Sequence, residues 1–243
     1  MRVLALDTTT RAGSVALIED DRVIAERAGD PVRSHAERLP GDLVRLLDEF
    51  GYRTSDVDVF AVAAGPGSFT GLRIGIATMQ GLAFVHHRSI VAVSMLEALA
   101  LAAGRELAHG ALVASWMDAH RHEVFSALYR VAAVGDSARA PLFASERLVE
   151  AERPQAGSPA ATLARWAEPF PAIAVYVGDG AELYANLLPT GSRVMPAPPV
   201  AGVIGLMAVS RAMRGEAVNP AAVQPIYVRR PDVEVARDAK LAD

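Results

Sequence analysis

The sequence predicts an α/β protein made of two similarly built lobes. Three observations lead there. Short β-rich runs alternate with stretches of helical spacing through the first hundred residues. The order strand, aspartate, polar turn, strand occurs twice, in "VLALDTTTRAGSVALIE" (Val3–Glu19) and "ALVASWMDAHRHEVFSALYRV" (Ala111–Val131). The order strand, glycine turn, helix also occurs twice, in "VFAVAAGPGSFTGLRIG" (Val59–Gly75) and "AIAVYVGDGAELYANLL" (Ala172–Leu188). Identity between the copies is negligible, so the echo is architectural. Two halves built alike imply a duplicated fold with a cleft between the lobes.

The elements follow in order. Arg2–Leu6 alternates and reads as a strand ending at Asp7, with Thr8–Gly13 as a turn. Ser14–Glu19 and Arg22–Arg27 are two more strands, joined by Asp20-Asp21 into a meander. Leu39, Leu43, Leu46, Leu47 and Phe50 then recur at helical spacing, with Gly51 as the stop. Pro40-Gly41 interrupts that pattern early and leaves room for a separate first turn. Val57–Ala64 is a buried strand, Gly71–His86 a helix, Ser89–Ser94 a strand and Met95–Leu107 a helix. Residues 134–172 are rich in Ala, Pro and Ser and read as mixed loop and helix. Gly202–Gly215 reads as an amphipathic helix closed by its last glycine, and Val235–Asp243 as a loose polar end. The lobes are placed at residues 1–100, which carry the partner-binding helices, and 101–243.

Composition narrows the function. The 243 residues are 51% hydrophobic, enough for one large domain or two lobes with real cores. Net charge is −4, and no Lys/Arg run is dense enough to track a nucleic acid backbone alone. Arg229-Arg230 is the one basic pair near an end. With no cysteine there is no disulfide, no Cys-ligated zinc and no thiol nucleophile. No apolar stretch is long and uncharged enough to cross a bilayer, and the first residues read as a strand, not a signal peptide. The expectation is a soluble cytoplasmic protein.

Two features invite a chemical reading. Asp7, at a strand end before a Thr-rich turn, is placed either to help hold metal and phosphate or to cap that turn; capping is preferred. Gly65, Gly67 and Gly71 permit positive φ and leave N–H groups open before a helix, as an anion cradle requires. No Lys follows the last glycine and the spacing is not G-x-G-x-x-G, so this is neither a P-loop nor a dinucleotide fingerprint. The helix after the loop carries Gly71, Gly75, Thr78, Leu82 and Val85 on one face and apolar residues around most of the rest. A helix apolar nearly all round must be covered on both sides. The loop therefore reads as a tight turn that presents this helix to a partner, together with the leucine-rich helix of Leu39, Leu43, Leu46 and Leu47. Asp7, Thr8, Gly65, Gly67 and Asp118 remain as a vestigial nucleotide site.

"LALDTT", "SHAERLP", "GPGSFTGLRIGIATMQGLA", "MDAHRHEVF", "GDG" and "PIYVRRP" together resemble the TsaB (YeaZ) family, over most of the chain from Met1 to about Pro231. The resemblance implies a two-lobed fold of the actin, Hsp70 and sugar-kinase (ASKHA) type. It implies a non-catalytic relative of TsaD, the subunit that transfers threonylcarbamoyl to tRNA. It implies pairing with TsaD through the two helices of the first lobe, a TsaE-like ATPase in the larger complex, and only indirect contact with tRNA; without a partner, the exposed helix surface is expected to close on a second copy as a two-fold homodimer. TsaD-like proteins are expected to pair two histidines four apart on a helix to grip a metal; here His35 is followed by Leu39. No metal and no cofactor is expected. His86-His87 point apart, and His120 and His122 flank an exposed turn. Two rivals stay open: an ATP-dependent sugar or acyl kinase using Asp7, Asp118 and Gly178–Gly180, and a metallopeptidase.

Overall fold

The computed structural model describes residues 1–132 and 147–229, which form two five-stranded mixed sheets. The first holds β1 (Arg2–Asp7), β2 (Ser14–Glu19), β3 (Arg22–Ala28), β4 (Val59–Gly65) and β5 (Ser89–Ser94), in the order β3-β2-β1-β4-β5. The second holds β6 (Leu112–Asp118), β7 (Val124–Val131), β8 (Leu148–Gly157), β9 (Ile173–Val177) and β10 (Val194–Met195), in the order β8-β7-β6-β9-β10. The orders are the same. In each, the first strand pairs antiparallel with the second and parallel with the fourth. The α/β duplication expected from the sequence is present as two halves of the same strand order and pairing sense.

Helices α1 (His35–Glu49) and α2 (Phe69–Val85) cover the outer side of the first sheet, and α4 (Pro159–Ala167) and α5 (Asp179–Leu183) belong to the second half. The third helix of each half crosses over. α3 (Met95–Gly104) packs on β6 and β7, and α6 (Ala201–Met213) packs on β1, β2 and β4. Both therefore lie between the sheets. Val3, Ala5 and Ile18 of one sheet and Val113 and Val177 of the other share a core there with Leu99 and Met207. Gly205 is the close-approach point: a Cβ there would lie 2.0 Å from Ile18 Cδ1. The start of α6 is held by the first lobe. Ser14 Oγ accepts from the N–H of Ala201 at 3.0 Å, and Glu26 from that of Gly202 at 2.8 Å. These bonds satisfy donors a helix start leaves open.

Two elements differ from expectation. α1 runs unbroken through Pro40, where the sequence left room for a separate turn. Pro40 and Ala36, whose carbonyl loses its bond, are both exposed, so the proline leaves no buried acceptor unpaired. The strand β8 lies where mixed loop and helix were expected; α4 supplies the helix. β8 is an edge strand containing Pro154, and its pairing with β7 shifts register. An edge with a proline and bulges has no clean alternation to read. Among the described residues no helix is long and apolar enough to cross a membrane. The loose end expected at 235–243, and Arg230 and Pro231, lie outside the described residues.

Candidate functional site

The Thr-rich turn after β1 is closed by its own aspartate. Asp7 Oδ1 accepts from the N–H and the hydroxyl of Thr9, both at 2.7 Å. Asp7 is 3% exposed, and burial pushes its carboxyl up despite these bonds, with Asp179 and Glu26 adding to the shift. This is the capping geometry. The glycine loop folds onto the same turn. Ser68 N–H donates to the Thr9 carbonyl at 2.8 Å, and Ser68 Oγ accepts from Gly71 N–H at 3.2 Å. Gly67 has φ +156°, and a Cβ there would lie 2.5 Å from Thr9 Cβ. Gly65 has φ +123°, and a Cβ there would lie 2.6 Å from the Ile226 carbonyl oxygen. The space beside the loop glycines is filled by Thr9 and Ile226.

The second half repeats the arrangement with other side chains. Asp179 Oδ1 accepts from the N–H groups of Asp118 and Gly180, at 3.1 and 2.9 Å. Burial again raises its carboxyl, with Asp118 adding to the shift. Asp118 accepts from His120 N–H at 2.9 Å and sits 3.1 Å from His120 Nδ1. His120, Arg121 and His122 all have positive φ in an exposed turn. Among the described residues no three His, Cys, Asp or Glu side chains are grouped to hold a metal.

His35 has no metal-like surroundings. Its Nε2 lies 2.9 Å from the Thr10 carbonyl and its Nδ1 2.9 Å from Arg38 Nη2. The guanidinium can only donate, so Nδ1 accepts and Nε2 carries the proton. Burial holds this imidazole below the ordinary histidine range, and the nearby Arg38 charge adds to that. Arg38, which the sequence did not single out, is the hub. It is buried, bonds Asp42 at 2.7 Å and also bonds the Ala12 carbonyl. The cluster ties the start of α1 to the β1–β2 turn.

The partner-facing assignment on α1 needs correction. Leu39, Leu43, Leu46 and Leu47 are 1–2% exposed and pack with Leu4, Leu6 and Phe60 on the sheet. One leucine stripe on an amphipathic helix is consumed by its own core. The exposed apolar residues here are Val44 on α1 and Phe50 just beyond it.

On α2 the small-residue stripe has two fates. Gly71 and Gly75 face inward: a Cβ would lie 2.1 Å from the Thr8 carbonyl oxygen at Gly71 and 2.1 Å from Thr8 Oγ1 at Gly75. These glycines let the β1–β2 turn press on the helix and cannot meet a partner. Further along, the stripe leaves the turn. Thr78 and Leu82 are half-buried and Val85 is 69% exposed. Beside them runs an open ridge the sequence did not single out, made of Ala77 and Gly81 and flanked by Ile74 and Phe84. Phe84 is 72% exposed, and a Cβ on Gly81 would meet nothing within 4 Å. A glycine inside a helix costs about 1 kcal/mol relative to alanine, and no contact among the described residues accounts for it at Gly81. Gly81 lies six residues after Gly75, about 120° round the helix, so it sits off the inward face that Gly71 and Gly75 occupy.

Comparison with known proteins adds the following. Residues 26–194 match the TsaD family, described as tRNA N6-adenosine threonylcarbamoyltransferase. The chain is similar to the tRNA threonylcarbamoyladenosine biosynthesis protein TsaB of Escherichia coli K12. The match is 39% identical over 130 residues, 54% of this chain and 55% of that protein, so the chain spans about half the length of this curated relative. It is also similar to two solved Pseudomonas aeruginosa structures. One is YeaZ, at TM-score 0.72 and 32% identity, covering 93% of this chain and 99% of the other. The second is an uncharacterized protein with similarity to the peptidase YEAZ, at TM-score 0.77 and 33% identity, covering 94% and 99%.

Proposed function

Because the chain belongs to the TsaB/YeaZ branch of the TsaD family, we propose that it is a non-catalytic subunit of tRNA threonylcarbamoyladenosine biosynthesis. Its role is to bind and support a TsaD-type catalytic subunit, with a TsaE-like ATPase joining the larger assembly. The setting is the cytoplasm, and contact with tRNA is indirect. The interface is the open flank of α2: Ile74, Ala77, Thr78, Gly81, Leu82, Phe84 and Val85, with Val44 of the neighbouring α1. In the isolated chain the same flank closes on a second copy as a two-fold dimer.

The observation that carries this reading is Gly81. Its bare position in a helix, with exposed Phe84 and Val85 one turn on, fits a helix that another backbone approaches closely. The filled glycine loop supports the non-catalytic part. The loop amides of Ser68 and Gly71 are used within the chain, and Asp7 is spent on its own turn. A kinase needs a metal-binding acid and an open phosphate cradle together.

Reconstitution tests the proposal. A TsaD-type subunit and TsaE-like ATPase with tRNA, ATP and threonylcarbamoyl donor are expected to modify tRNA only when this chain is added. The chain alone is expected to turn over neither ATP nor tRNA. Single-protein ATP turnover abolished by Asp7→Ala would overturn the reading in favour of the kinase-like rival.

A further inference from the structure

The segment Pro220–Arg229 follows α6, which lies between the sheets, and then runs from the first lobe to the second. It first runs along α2, where Gln80 Nε2 donates to the carbonyls of Pro220 and Val223 at 2.7 and 3.1 Å. It then joins the end of β4: Ile226 N–H donates to the Ala64 carbonyl at 2.7 Å. Tyr227 packs its ring against Phe69 at 5.9 Å and meets Arg73 Nε at 3.4 Å. All of these contacts are to the first lobe. Two residues later the segment grips the second lobe. Arg229 bonds Glu123 at 2.5 Å and the Ala119 carbonyl at 3.1 Å, both in the turn between β6 and β7. Its guanidinium also lies 5.8 Å from the Phe125 ring.

We propose that Ile226–Arg229 is a clasp that fixes the angle between the lobes. Three observations support it. Its anchors are on different lobes and only three residues apart, so no slack separates them. Ser94 and Glu97 face Tyr129, Glu150 and Pro154 across a cavity of about 300 Å³ bordered by Ile226. The contact between the lobes is incomplete there and leaves a space that the segment borders. Gly65, whose Cβ position is taken by the Ile226 carbonyl, shows that the loop after β4 is shaped to receive the segment. The shared core around α3 and α6 then acts as the hinge, and the clasp stops it from opening.

The absence of native cysteine makes a direct test simple. Spin labels are placed on Ser55→Cys in the first lobe and Ala160→Cys in the second, both exposed sites. The distance distribution between them is measured by pulsed electron resonance, with hydrogen exchange at the Ile226 and Ser68 amides alongside. With the native clasp the distribution is expected to be narrow. Arg229→Ala is expected to shift or widen it and to speed exchange at Ile226 about tenfold, while circular dichroism stays native. Glu123→Gln, which weakens the same anchor from the other lobe, is expected to act in the same direction, and it decides the matter if Arg229→Ala does not fold. A distribution and exchange rates unchanged in a folded variant overturn the proposal. No partner protein is needed, so this result stands apart from the fate of the proposed function.

Discussion

Two parts of one helix use the same residue for opposite reasons. At the start of α2, Gly71 and Gly75 are forced by contact, because Thr8 occupies the space where their side chains would go. At the other end Gly81 is forced by no contact among the described residues. The first pair is a statement about the fold; the second is the one the proposed interface explains. The difference teaches that a small-residue stripe is not evidence of an interface until its surroundings are known. An inward glycine and an outward one separate when a side chain is added.

The largest contrast lies on α1. Leu43→Ala is expected to cost about 2–5 kcal/mol, while its exposed neighbour Val44→Ala changes monomer stability by about 0.5 kcal/mol or less. Denaturant unfolding checks both; equal costs would mean that the leucine stripe is not core. Next comes Gly75→Leu. Overpacking against Thr8 is expected to destabilise the isolated chain by about 1–3 kcal/mol. For a chain of this size each kcal/mol moves Tm by roughly 2–4 °C, so calorimetry resolves it. An unchanged Tm would place Gly75 outward after all. Gly81→Ala has the opposite sign: with open space and better helix propensity, it is expected to gain about 0.5–1 kcal/mol. A loss there would reveal a contact within the chain and weaken the partner reading.

The smallest effect concerns pH. His35 is held neutral by burial, below its ordinary value of 6.5. The unfolded chain therefore takes up this proton first as pH falls, and stability drops below about pH 6.5. Protonation would also set an N–H at Nδ1 against Arg38. His35→Gln is expected to flatten that part of the stability–pH curve, and chemical denaturation between pH 5 and pH 8 reads it. The same slope in the variant would assign the effect to another group.

Much of the fold was legible because the signals were local. The buried strands, the Asp7 turn, the glycine turn and the doubled order all lie within short windows. β8 was not legible, since Pro154 and register shifts erase the alternation of an edge strand. The exchange of α3 and α6 between sheets is a long-range choice that no window contains. At the site, the sequence showed that α2 has too much apolar surface, but not which part the β1–β2 turn would cover. Thr8 decides that, from more than sixty positions away. Arg38 was hidden for the same reason: a buried arginine reads as a surface residue until Ala12, His35 and Asp42 are seen around it.

The central claim is that the flank of α2 around Gly81 meets the catalytic subunit. Gly81→Leu tests it most directly, because the position is open among the described residues of the monomer and a bulky side chain would hold two close helices apart only where a second chain packs on this flank. The measurement is the Kd for a TsaD-type subunit by calorimetric titration, beside the Tm of the free variant. The account predicts an unchanged or slightly raised Tm and an affinity loss of about tenfold or more. Full affinity with an unchanged Tm would contradict it.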